Sequence, residues 1–116
     1  MKNYRKQTQR VRGGQIRSPF GETSEPIYMN SGYVFNTAEE ARDKFSGIEE
    51  GYLYSRYGNP TVSVFEERMA LNENAEACFA TSSGMSAIFG SLMCFLNFGD
   101  EVVSSRTLFG SCYHIF

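Results

Sequence analysis

Tryptophan is absent from this chain, histidine occurs once, and lysine occurs only as Lys2, Lys6 and Lys44. With His114 alone, no histidine cluster can form within one chain, and metal catalysis is not expected. The cysteines Cys78, Cys94 and Cys112 are odd in number, widely spaced and set among apolar neighbours. That pattern predicts reduced, buried thiols rather than disulfides or a zinc site. No apolar run approaches the ~20 residues that span a bilayer, and no secretory apolar segment follows Met1. The expectation is a soluble, cytoplasmic protein with no membrane partner. A formal charge of -2 supplies no general field for nucleic acid, which needs a clustered positive excess.

What is present suffices for a core: 41% of the 116 residues are hydrophobic and 15% aromatic, enough for one domain at most. Charge is uneven only at the start, where Lys2, Arg5, Lys6, Arg10, Arg12 and Arg17 precede the first acid, Glu22. Tyr4, Val11 and Ile16 are too few to give this stretch the apolar face of a mitochondrial presequence, so it is expected to be a solvated or subunit-embracing arm. From Met1 to about Tyr33 the pattern is polar and then punctuated by Gly, Ser and Pro, which predicts an extended arm.

Local signals then become regular. Thr37 with Glu40 three residues on is a capping box, and it opens a short helix to Phe45 that Gly47 ends. Asn59 and Pro60 suit the N-cap and first position of a second helix, with Val62, Phe65 and Met69 at helical spacing and Asn74 able to close it. "EACFAT" and "EVVSS" are strand candidates. Between them "SSGMSAIFGSLMCFLNFGD" is a helix apolar on nearly all sides, expected to be buried between layers. Strand, helix and strand with tight joints make a βαβ unit of an α/β sheet. The domain boundary falls near residue 50, with arm and short helix over 1–50 and the opening of an α/β domain over 51–116.

Two stretches carry chemistry. "YLYSRYGNPT" sets Arg56 among Tyr52, Tyr54 and Tyr57 before a turn signal, an anion grip or an ordinary loop beside a core. In "ATSSGMSA", Ser82 and Ser83 offer hydroxyls and Gly84 lets a ligand approach the start of a helix, whose unpaired N–H groups and positive dipole end suit a phosphate. An N-cap serine beside a close-packed glycine has the same residues. The stretch is neither a P-loop nor a dinucleotide fingerprint, and it lacks the glycine of a nucleophile elbow.

Taken in order, "YLYSRYGNPT", "SSGMSA" and "LFGSCY" resemble the pyridoxal-phosphate (PLP) enzymes of cysteine and methionine metabolism, the cystathionine γ-synthase and γ-lyase group. The resemblance runs from about Gly13 to Phe116, and Phe109, where many members have tyrosine, looks most like the O-succinylhomoserine sulfhydrylase branch. It implies an α/β fold class: an N-terminal arm plus the incomplete beginning of a fold-type-I PLP-dependent transferase large domain. Gly84 and Met85 would give backbone N–H groups to the cofactor phosphate, and Phe109 would lie over the pyridine ring. In this group the loop tyrosine and arginine act in trans across a homodimer or homotetramer. Arg56 would therefore grip a neighbour's phosphate with its planar fork, and Tyr54 would bond that phosphate or act catalytically near the reacting amine. Tyr52, Tyr57 and Tyr113 are expected to be structural, and Cys112 to be a buried, inert thiol.

The implied reaction is γ-replacement, in which a homoserine ester such as O-succinylhomoserine or O-acetylhomoserine loses its acyl group and takes up sulfide to give homocysteine, a step of methionine biosynthesis. The cofactor-linking lysine matches none of Lys2, Lys6 and Lys44 and is expected beyond Phe116. The alternatives are a cystathionine γ-synthase, a γ-lyase or methionine γ-lyase, or a non-catalytic fragment. Asn72 departs from the group's usual core leucine; buried and unpaired, its amide would cost about 1–3 kcal/mol.

Overall fold

A computed structural model describes residues 4–115, which fall into two units, Met1–Phe79 and Ala80–Phe116. Among the described residues the first unit is built around three helices: α1 (Lys6–Arg12), α2 (Ala38–Phe45) and α3 (Pro60–Glu73). The second holds α4 (Gly84–Met93) and a 3₁₀ turn, Gly110–His114.

Helix α3 is the centre of the first unit because its ends are locally specified. The Asn59 carboxamide oxygen accepts the Thr61 amide at 2.9 Å and Pro60 occupies the first turn. Asn74, at φ 53°, closes the helix in the left-handed conformation, its amide donating to the Ala70 carbonyl. Pro60, Val64 and Ala70 are its buried residues, the last two each 6% exposed. Helix α2 starts at the capping box: the Thr37 hydroxyl accepts the Glu40 amide at 3.0 Å, and Glu40 reaches back to the Asn36 amide at 2.7 Å.

Hydrogen bonds from Lys44 and the Asn36 amide hold the Glu40 carboxyl down from an ordinary 4.5 to about 2. A depressed carboxylate stabilises the fold fully above its unfolded value and loses that contribution as pH falls through the folded one. The start of α2 is therefore expected to loosen between about pH 4.5 and 2. An NMR titration of the whole protein should show Glu40 and the α2 amides titrating together, and Glu40→Gln should make that acid transition shallower. An unchanged acid limb in Glu40→Gln would contradict the assignment.

Four expectations need correction. The arm is not extended throughout: α1 forms and packs on α3. No apolar period announces α1, because Arg10 and Arg12 complement its C-terminal end and α3 supplies the packing that a periodic pattern usually records. The arm is fastened there by Arg68, whose Nε donates to the Gly13 carbonyl at 3.0 Å and whose guanidinium pairs with Glu25. That bond holds the Glu25 carboxyl below its usual range.

The strands expected at 76–81 and 101–105 do not form; among the described residues the only β-pairing is an antiparallel bridge between Gly32 and Tyr54. A strand exists through its partner's hydrogen bonds, and neither segment joins a β-ladder among the described residues, with Phe79 85% and Val103 100% exposed. Helix α4 ends at Met93 rather than near Asn97 and has no buried residue. A unit below about 40 residues cannot close a core around so apolar a helix. Of the thiols only Cys112 is buried, Cys78 is half-buried, and Cys94, the C-cap of α4, is exposed. Position 94 follows the last turn of a helix whose residues are at most half-buried, so apolar neighbours in sequence did not translate into burial. Asn72 is half-buried, so water reaches its amide and no core penalty applies.

Candidate functional site

The tyrosine loop is a tight turn hung on a polar frame. Tyr57 and Gly58 amides both donate to the Tyr54 carbonyl, at 2.8 and 3.2 Å, and the Ser55 amide donates to the Ser31 carbonyl at 2.9 Å. The turn leaves Tyr54 43% and Tyr57 71% exposed. Arg56 lies between them, its guanidinium carbon 5.5 Å from the Tyr54 ring centre and 5.2 Å from that of Tyr57. Among the described residues no carboxylate pairs with it. With its carbon near both rings and no carboxylate partner among the described residues, the guanidinium keeps N–H donors for an anion.

The second unit offers the complementary feature. Ser83 caps α4, its hydroxyl accepting the Ser86 amide at 3.1 Å, while the Thr81 hydroxyl donates to the Ser83 carbonyl at 2.8 Å. The Ala87 amide donates to the Ser83 carbonyl. The preceding amides, Gly84 and Met85, have no acceptor among the described residues. A Cβ on Gly84 would meet nothing within 4 Å, so this glycine is not close-packed and its backbone stands open to a ligand. Two free amides at a positive helix end match the oxygens of a phosphate.

Phe109 precedes the 3₁₀ turn and is 71% exposed, a free aromatic plane. Cys112 behind it is buried, and the Tyr113 hydroxyl donates to the Arg106 carbonyl, so both are committed to structure. Tyr54 is thus brought beside Arg56 in the first unit and Gly84 beside Met85 in the second.

In chemical type, the Gly84 and Met85 amides suit the phosphate of a planar aromatic cofactor and the Phe109 ring suits its plane. They do not include its covalent anchor. Lys44 is bonded to Glu40, which raises its pKa and keeps it protonated. Lys6 is exposed on α1, and Lys2 lies outside the described residues.

Sequence reasoning underrated two polar side chains. Asn59 appeared only as a helix cap, yet it is 7% exposed and bonded on three sides; Ser55 appeared only as a spacer between Tyr54 and Arg56. An asparagine where serine, threonine or aspartate would also cap was the available signal, since only the amide adds two donors.

The family of Cys/Met metabolism PLP-dependent enzymes matches residues 7–116, and the chain belongs to it. It is 57% identical to the O-succinylhomoserine sulfhydrylase of Mycobacterium tuberculosis over 89% of its own length and 25% of that protein's. With the O-succinylhomoserine sulfhydrylase of Pseudomonas aeruginosa it shares 50% identity over 91% of this chain and 26% of that one. The chain thus spans about a quarter of the length of the curated relatives it matches.

Among solved structures, a putative O-acetylhomoserine (thiol)-lyase from Campylobacter jejuni superposes with a TM-score of 0.89 at 32% identity, covering 97% of this chain and 28% of that one. That protein carries N'-pyridoxyl-lysine-5'-monophosphate. The fold class expected from sequence, the incomplete beginning of a fold-type-I PLP enzyme, agrees with this likeness.

Proposed function

We propose that this chain is the N-terminal part of a sulfhydrylase that converts O-succinylhomoserine, or O-acetylhomoserine, and sulfide to homocysteine. The observation that carries the substrate class is the 57% identity to an O-succinylhomoserine sulfhydrylase over 89% of the chain. The local geometry is consistent with it: free Gly84 and Met85 amides for the phosphate and an exposed Phe109 ring to stack on the pyridine. Once bound, PLP supplies the electron sink for proton loss from the amino-acid substrate.

Arg56 and Tyr54 act on the phosphate of a neighbouring subunit in a homodimer or homotetramer. Support comes from their place on an exposed turn and from the uncommitted guanidinium. The Tyr54 hydroxyl bonds that phosphate or holds a proton near the reacting amine. The enzyme works in the cytoplasm, a placement supported by the unpaired Cys78, Cys94 and Cys112, which suit a reducing compartment.

The test is a parallel assay of the whole protein supplied with PLP. O-Succinylhomoserine and sulfide should give homocysteine and succinate in equal amounts. Turnover confined to elimination from methionine, or none with either ester, would overturn the sulfhydrylase reading.

A further inference from the structure

Asn59 lies five residues past Tyr54 and buries an amide whose two N–H donors and carbonyl oxygen all have partners. Its Oδ1 accepts the Thr61 amide at 2.9 Å, and its Nδ2 donates to the Tyr28 carbonyl and to the Ser55 hydroxyl, each at 3.0 Å. Flipping the amide would set Nδ2 against a donor and Oδ1 against a carbonyl, so the partners fix its orientation. The Ser55 hydroxyl donates its own hydrogen bond to the Asn30 carbonyl. The Tyr28 amide completes the frame by donating to the Thr61 hydroxyl at 2.9 Å.

One side chain therefore joins the start of α3, the segment Tyr28–Asn30 and the residue between Tyr54 and Arg56. With the Ser55 side chain held inward, its two neighbours are left exposed. Arg56 has no polar anchor of its own among the described residues, only ring contacts, so the direction of its fork follows from the backbone that Ser55 fixes.

We infer that Asn59, acting through Ser55, is a positioning residue that sets the anion-gripping geometry of Arg56. The inference rests on the reading of Arg56 as a phosphate ligand and adds the device that orients it. Asn59→Asp separates this duty from helix capping: a carboxylate still accepts the Thr61 amide, but both donations vanish and an oxygen faces the Tyr28 carbonyl. Ser55→Ala removes only the hydroxyl relay and leaves the Ser55 amide on Ser31.

The experiment measures the PLP dissociation constant of the whole protein by equilibrium dialysis for Asn59→Asp, Ser55→Ala, Arg56→Ala and the double variants with Arg56→Ala. Asn59→Asp is expected to weaken PLP binding roughly tenfold, the scale of one hydrogen bond to a charged group, and Ser55→Ala less. In the Arg56→Ala background each should add little, because the group they orient is gone. Equal factors in both backgrounds would overturn the positioning role and leave a structural one. Unchanged PLP binding in Arg56→Ala would instead overturn the phosphate reading itself, and the inference with it. If Asn59→Asp does not fold, Ser55→Ala and its double variant decide the matter alone.

Discussion

Arg56→Ala in the whole protein is expected to weaken PLP binding by about 10- to 100-fold, measured by equilibrium dialysis. A guanidinium contributes charge-assisted bonds to phosphate worth about 1.5–3 kcal/mol each, and alanine removes them. Arg56→Lys should recover part of the loss, since an ammonium keeps the charge without the planar fork. Because Arg56 is read as serving a neighbour, subunits carrying Arg56→Ala should complement subunits lacking the cofactor-linking lysine. In a mixed dimer one site holds two defects and the other holds none, so activity returns in the mixture. Equal inactivity of mixed and unmixed dimers, with subunit exchange verified, would count against the cross-subunit role.

The second large effect concerns stability. Gly14 and Gly21 both sit at φ 66°, so alanine at either position meets the same left-handed backbone penalty, about 1–2 kcal/mol. Their surroundings differ. A Cβ at Gly14 would stand 2.8 Å from Cβ and Cγ of Glu67 and 3.2 Å from the Arg68 amide, where the arm crosses α3; at Gly21 it would meet nothing within 4 Å. Gly14→Ala therefore adds overpacking of about 1–3 kcal/mol to the backbone term. Denaturant unfolding of the whole protein should show Gly14→Ala clearly below Gly21→Ala. Equal losses would mean that the close crossing, which Arg68 clamps through Gly13 and Glu25, contributes nothing.

Legibility followed the range of the interactions. The ends of α3 and α2 could be read because Asn59, Pro60, Asn74, Thr37 and Glu40 act within four residues of themselves. Helix α1 could not, because α3, more than forty residues away, supplies its packing. The same limit explains the unformed strands, since "EACFAT" and "EVVSS" carry strand propensity but pairing is a property of the neighbour. At the candidate site the Ser83 cap was local and legible, while the same residues left Gly84 either open or close-packed until the structure showed it open. The Asn59 frame was not, because Tyr28 lies 31 residues upstream of it. Phe109 needed the family resemblance, as an exposed phenylalanine has no local signature of stacking.

A crystal structure of the whole protein with PLP tests the central claim most directly. The account predicts phosphate oxygens within hydrogen-bond reach of the Gly84 and Met85 amides, Phe109 against the pyridine face, and the guanidinium of the partner subunit's Arg56 on the same phosphate. A phosphate bound away from the start of α4, or an Arg56 turned to its own subunit's carboxylates, would contradict it.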